Sequence, residues 1–196
     1  GLLHAMPSHQ ISSPNVGESL DYGRPNACNL CHLDETLSWT AEKLHDWYQQ
    51  PIPHLSDDDK SIAAAVLWLV KGDAGQRALL AWGMGWEPAQ KVSGQDWLYP
   101  YLVFGLLDPY AAVRYDAWKS LQTLPGFSDF KFTYTAEPDA LAEAASRAYQ
   151  KWWDELRRSD ATFNEKTALD ANGHFQQDIF NRLRRERDNR PIVLAE

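Results

Sequence analysis

Apolar residues along this chain recur with a helical period. Ile62, Ala65, Val66, Leu69 and Val70 follow the i, i+3, i+4, i+7, i+8 pattern of one helical face. Ser56 and the run Asp57-Asp58-Asp59 precede them, acids favourably placed at the positive end of a helix that starts near 56. Lys71-Gly72 closes that segment. Asp73 then begins another, with Gln76 three residues on as a capping box. This helix carries Leu79, Leu80 and Trp82 and fails at Gly83 and Gly85. Upstream, Trp39, Leu44, Trp47 and Tyr48 can form the apolar stripe of a helix over about 38–50, stopped by Pro51 and Pro53. The stretch 96–107 is apolar on all sides and reads as a buried helix with Asp96 as N-cap, or else as a buried strand. Asp108-Pro109 restarts the chain as N-cap and first helical residue, and Val113, Ala117, Leu121 and Leu124 line the face that follows. A helix over about 138–157 aligns Leu141, Ala145, Ala148, Trp152 and Leu156. A last one over about 172–188 aligns Phe175, Ile179 and Leu183. Its Arg182, Arg184, Arg185 and Arg187 read as a solvated face near a helix C-terminus.

The first 27 residues break this pattern. Pro7, Pro14, Pro25, Gly17 and Gly23 punctuate a Ser-rich stretch, so it is expected to be an extended arm. The architecture that follows is all-α. The arm and a binding loop occupy 1–55, stacked helix pairs 56–158, and a linker with the C-terminal helix 159–196. The segment Asp108-Pro-Tyr-Ala-Ala-Val-Arg114 resembles the start of the second helix of a HEAT repeat, and helix pairs of this kind stack into a solenoid.

At the junction of arm and helices stands Cys28-Asn29-Leu30-Cys31-His32, the C-x-x-C-H of covalent haem attachment. Two thiols two residues apart reach one edge of the porphyrin as thioethers, and the histidine that follows lies over the iron as proximal ligand. Structural zinc takes four Cys or His ligands, usually from paired knuckles. Cys28 and Cys31 are the only cysteines, and no H-x3-5-H pair is present. A redox dithiol sits between a strand and a helix, and no strand is evident before Cys28. The turn-forming flank Gly23-Arg24-Pro25-Asn26 suits an attachment loop. Haem c is therefore the expected cofactor, held by Cys28, Cys31 and His32.

A formal charge of −8 argues against a nucleic-acid partner, because phosphate binding needs a basic face. No apolar run reaches the roughly 18 residues of a membrane span. Covalent haem attachment takes place outside the cytoplasm, so the chain is expected to be periplasmic or extracellular. Gly1 is then expected to be a processed end, or the start of a piece of something longer. Nine Trp, eight Tyr and seven Phe supply packing area for a core or a haem pocket, and Trp39, Trp47 and Tyr48 are candidates for either.

The sixth iron ligand separates an electron carrier from a catalyst, since a permanent strong ligand keeps small molecules off the metal. Candidates are His4, His9, His45, His54, His174, Met6 and Met84. His9 is the first choice, because the arm before Cys28 is long enough to fold back over the ring. His54 and His45 are the second choices. The stretches 1–14 (GLLHAMPSHQISSP) and 24–32 (RPNACNLCH) resemble the final haem-binding region of multihaem c-type cytochromes with a helical-repeat C-terminal part. That resemblance implies a distal histidine in a Ser-His-x-Ile type segment, here His9. Such proteins carry several C-x-x-C-H motifs and this chain carries one. The remaining haems are then expected upstream or on a partner subunit, in which case His9 is also a candidate ligand for a partner's haem.

The expected function is an electron-transfer protein or subunit with one bis-His, low-spin haem, partnered by other redox proteins such as multihaem cytochrome subunits. A carrier is favoured over an enzyme. A haem enzyme or gas sensor with an open distal site, and a mainly structural helical-repeat subunit of a redox complex, are the alternatives.

Overall fold

The computed structural model describes residues 13–157, 161 and 163–190. Within them the fold is all-α. Its helices are α1 (Val16–Tyr22), α2 (Leu37–Tyr48), α3 (Asp57–Ser61), α4 (Ala64–Lys71), α5 (Ala74–Gly83), α6 (Glu87–Ser93), α7 (Leu98–Gly105), α8 (Ala111–Leu121), α9 (Pro138–Lys151) and α10 (Gln177–Arg185). The β pairing among the described residues consists of isolated bridges, Thr36 with Ala63 and Leu169 with Phe175. The strand alternative for 96–107 is thereby settled as helix, and Pro100 is accommodated in its first turn, where amide N–H groups have no helical partner. No described helix is long and apolar enough to cross a membrane.

Local signals produce several of these helices. Ser56 and Asp59 form a reciprocal capping box at α3, and Asp73 and Gln76 form another at α5. Asn15 caps α1 through the Glu18 amide, and Gly23 ends it in the left-handed region at φ 62°. Part of the expected extended arm, 16–22, is thus helical. Its single polar cap and glycine stop suffice for two turns that bury Val16 against α2.

Tertiary contacts redraw other boundaries. The helix expected through 56–70 is broken at Ile62–Ala63, where the chain is extended at Ile62. The Ala63 N–H donates to the Lys166 carbonyl at 2.8 Å, and the Ala64 N–H to the Glu35 carbonyl at 3.0 Å. Two segments distant in sequence thereby take the amides an uninterrupted helix would have kept. On α2 the buried face is Leu37, Thr40, Ala41 and Leu44, whereas Trp47 and Tyr48 are 63 % and 69 % exposed. The stripe expected from those aromatics is not the core-facing one. The helix expected from 172 starts at Gln177, because Asp170 accepts from the Asn172 and His174 amides and closes a turn there.

Asp108 departs furthest from its expected role. It does not cap α8, which starts at Ala111. Its carboxylate takes a bidentate contact from Arg77, Nε to Oδ2 at 2.7 Å and Nη2 to Oδ1 at 3.2 Å, with both side chains almost wholly buried. Arg77 also donates to the Gly72 and Asp188 carbonyls, so one guanidinium ties the start of α5 to the chain leaving α10. Arg182, expected in solvent, donates to both Asp58 carboxylate oxygens, at 2.9 and 2.7 Å, and ties α10 to α3.

α5 packs between α4 and α8, α7 lies against α8 and α9, and α10 lies against α4. The α7–α8 approach is close enough that a Cβ on Gly105 would stand 2.7 Å from the Ala117 Cβ. One apolar cluster runs from Leu33 through α4, α5, α7, α8 and α9 to Leu183. A smaller one joins Val16, Leu37, Ala41, Leu44, Leu55 and Ala64, and Trp68 packs against both.

Removing one partner of a buried ion pair leaves the other charge uncompensated, which costs about 3–5 kcal/mol. Asp108→Ala is expected to lower the unfolding free energy by that amount, read from urea midpoints at unchanged m-value. Asp116, on the buried face of α8, provides a pH test: burial pushes its carboxyl up to about 7. The folded state then binds more protons than the unfolded chain between the ordinary carboxylate range and neutrality, so stability falls as pH rises through that window. Asp116→Asn is expected to flatten this fall and to be the more stable protein above neutral pH, as measured by denaturation at a series of pH values.

Candidate haem-attachment site

Cys28–Leu30 forms a single 3-10 turn. The Cys31 and His32 amides both donate to the Cys28 carbonyl, at 3.2 and 2.8 Å, so the three residues of the motif that carry chemistry lie on one tight loop. Both cysteines are free thiols, half-buried rather than enclosed. The His32 ring is half-buried against Trp39, centroids 4.7 Å apart at 44°. Trp39 is half-buried at the start of α2, on the side of that helix away from Leu37, Ala41 and Leu44.

The loop is held by buried polar side chains that the motif itself does not advertise. Asn29, wholly buried between the two cysteines, donates to the Glu35 carbonyl at 3.0 Å and the Thr36 carbonyl at 3.4 Å, and accepts from the Thr40 hydroxyl at 2.8 Å. Asn26 accepts from the Cys28 amide at 3.1 Å and donates to the Ser19 hydroxyl. The Ser93 hydroxyl, at the end of α6, accepts from the Leu33 amide and donates to the Cys31 carbonyl, both at 2.9 Å. The Gln76 amide group bonds the Gly23 carbonyl and so fixes the loop's approach to α5. Asn26 was foreshadowed by the Pro25-Asn26 turn signal. Asn29 occupied a position the motif leaves open, and nothing near Ser93 points to a partner some sixty residues upstream.

Burial pushes the Cys28 thiol up, a backbone hydrogen bond opposes this in part, and the neighbouring Cys31 adds to the rise. A catalytic dithiol needs the opposite, a lowered pKa that supplies thiolate. Among the described residues no three His, Cys, Asp or Glu side chains gather to hold a metal ion. What the loop does offer is two accessible thiols one turn apart, an adjacent imidazole and an aromatic wall, a donor set that fits a thioether-linked haem with one axial histidine. Beside His32, burial raises the Asp34 carboxyl, with backbone hydrogen bonding opposing.

The other candidate ligands are dispersed. His9, His4 and Met6 lie outside the described residues. His45 is exposed near the end of α2, with Nδ1 at 2.9 Å from the Gln50 carbonyl, so that nitrogen carries the proton and Nε2 is left as the coordinating atom. Six residues of helix turn it about 120° from Trp39 around the α2 axis. His54 is exposed in the extended segment before Leu55. Met84 is wholly buried in the main core, and His174 lies against Trp153 with its ring bonded to Asp170.

Comparison with family models, with curated proteins and with solved structures finds no match to this chain.

Asn29→Ala leaves the buried Thr40 hydroxyl without its acceptor, while the Glu35 and Thr36 carbonyls keep the Ala64 and Thr40 amides, and a buried polar group left unsatisfied costs about 1–3 kcal/mol. Asn29→Ala is expected to lower the thermal midpoint clearly more than Asn189→Ala at an exposed position, measured by circular dichroism on the two purified variants.

Proposed function

We propose that this chain is an extracytoplasmic c-type cytochrome, an electron-transfer protein or subunit carrying one covalent haem c. The observation that carries this reading is the Cys28–His32 loop, with two free thiols and an imidazole presented on one turn that buried Asn29 and Ser93 hold rigid. When bound, the haem supplies a one-electron iron couple. Cys28 and Cys31 would hold it by thioethers and His32 would serve as its proximal ligand. Trp39 limits rotation of the His32 ring and excludes water from that side. Asn29, Ser93 and the buried Leu33 resist displacement of the loop and would keep both thiols and the His32 imidazole in place around the group.

His9 is the proposed distal ligand, giving a bis-His, low-spin site with no open position for small molecules and a lower potential than a His/Met pair would set. A single haem relays electrons and does not store them. The proposed partners are therefore other redox proteins, multihaem cytochrome subunits first among them. The α4/α5 and α7/α8 pairs, read as HEAT-like units, form the scaffold that presents the haem region.

The direct test is expression with export and haem-attachment machinery, followed by acid–acetone extraction and a pyridine haemochrome spectrum. One haem per chain, resistant to extraction and lost in the Cys28→Ala/Cys31→Ala double variant, is expected. A chain that matures with no retained haem would overturn the reading. In the haem-loaded protein, His9→Ala is expected to convert a low-spin spectrum indifferent to carbon monoxide into a high-spin, carbon-monoxide-binding one. Carbon monoxide binding already in the unmodified protein would favour a haem enzyme or gas sensor instead. A low-spin spectrum unchanged by the substitution would move the ligand to His54 or His45.

A further inference from the structure

On the far side of α5 from the Cys28–His32 loop is a second arrangement with chemistry of its own. A pocket of about 220 Å³ opens between the start of α5, Pro109 and the chain leaving α10, and three arginines line it: Arg77, Arg187 and Arg190. Two of them are committed. Arg77 is paired with Asp108 and two carbonyls, and Arg190 is paired with both oxygens of Asp188. Arg187 is not. Its side chain is only 16 % exposed, its nearest carboxylate, Asp108, is 3.9 Å from Nη1, and its buried Nε has no hydrogen-bond partner. A buried guanidinium nitrogen left without an acceptor, on a side chain whose one carboxylate neighbour stands at 3.9 Å, is costly and is ordinarily matched by a ligand.

The charges around the pocket fix the sign and size of what fits. Among the described residues Arg77, Arg187 and Arg190 line the pocket, Arg184 and Arg114 stand close to it, and Asp73, Asp108 and Asp188 oppose them, so cations outnumber carboxylates. The first turn of α5, a ten-residue helix, adds its positive end through Ala74, partly offset by the Asp73 cap. The balance is positive, and Arg187 supplies one fork-shaped donor suited to two parallel N–H···O bonds with a small anion. We propose that this pocket binds a small, singly charged oxyanion, a carboxylate or dihydrogen phosphate, on the Arg187 guanidinium. Asp108 then shares its charge between Arg77 and Arg187 in the free protein and is relieved of Arg187 when the anion enters. The inference is independent of the haem assignment, since neither the residues nor the test involve the Cys28–His32 loop.

The test is nitrogen-15 NMR of arginine Nε–H resonances in the full purified chain. Sodium acetate is titrated in one series and sodium phosphate at mildly acid pH in another, with sodium chloride holding ionic strength constant. The resonance that disappears in Arg187→Gln is expected to shift saturably, with a half-point at or below about 10 mM, the order a single charge-assisted bidentate contact supports. Saturation by acetate alone identifies a carboxylate site, and saturation by phosphate identifies a general oxyanion site. Arg190→Gln is the second variant, because its 87 % exposed side chain can be removed without touching the core. It frees the Asp188 carboxylate to repel the anion and is expected to raise the half-point several-fold at unchanged thermal midpoint. A shift linear in both salts, a shift that chloride reproduces, or a half-point indifferent to Arg190→Gln overturns the proposal.

Discussion

The Ser93 hydroxyl joins two parts of the chain some sixty residues apart. It takes the Leu33 amide and gives its proton to the Cys31 carbonyl, so the loop that carries Cys28, Cys31 and His32 is fastened to the end of α6. Leu33, directly after the motif, is wholly buried in the main core. A loop of this length has too few apolar residues to make a core of its own, and its order must come from the helical body. The consequence is that the site inherits the rigidity of α4, α5 and α6, while its two thiols and imidazole stay half-exposed where a large planar ligand can reach them.

The same economy recurs where the C-terminal part meets the loop. The Glu165–Thr167 turn receives the Ala63 amide, Lys166 pairs with Glu35, and the buried Tyr101 hydroxyl donates to the Thr167 carbonyl. Glu35 itself accepts the Ala64 amide. The break between α3 and α4 is thus the crossing point of three chain segments, and breaking the helix there exposes the backbone groups that hold them. Stability of the Cys28–His32 loop and of the C-terminal segment is therefore coupled, although they are more than a hundred residues apart.

Charge is handled in two ways in this protein. At the surface the acidic excess is left to solvent. Inside, Arg77 and Asp108 form a multiply bonded pair at the junction of α5 and the chain beyond α10, while Arg187 nearby reaches Asp108 only at 3.9 Å and its buried Nε has no partner.

What this chain determined by itself was local chemistry: the 3.6-residue apolar period of α4, the reciprocal caps at Ser56/Asp59 and Asp73/Gln76, and the spacing of Cys28, Cys31 and His32. These depend on neighbours a few residues away, so they can be read without knowing where the chain goes. The break at Ala63, the turning of Trp47 and Tyr48 to solvent, the diversion of Asp108 from helix cap to ion pair, and the roles of Asn29 and Ser93 were decided by the tertiary structure. Each depends on a partner brought in from a distant segment, and a backbone amide or a carboxylate goes to whichever acceptor or donor folding places beside it.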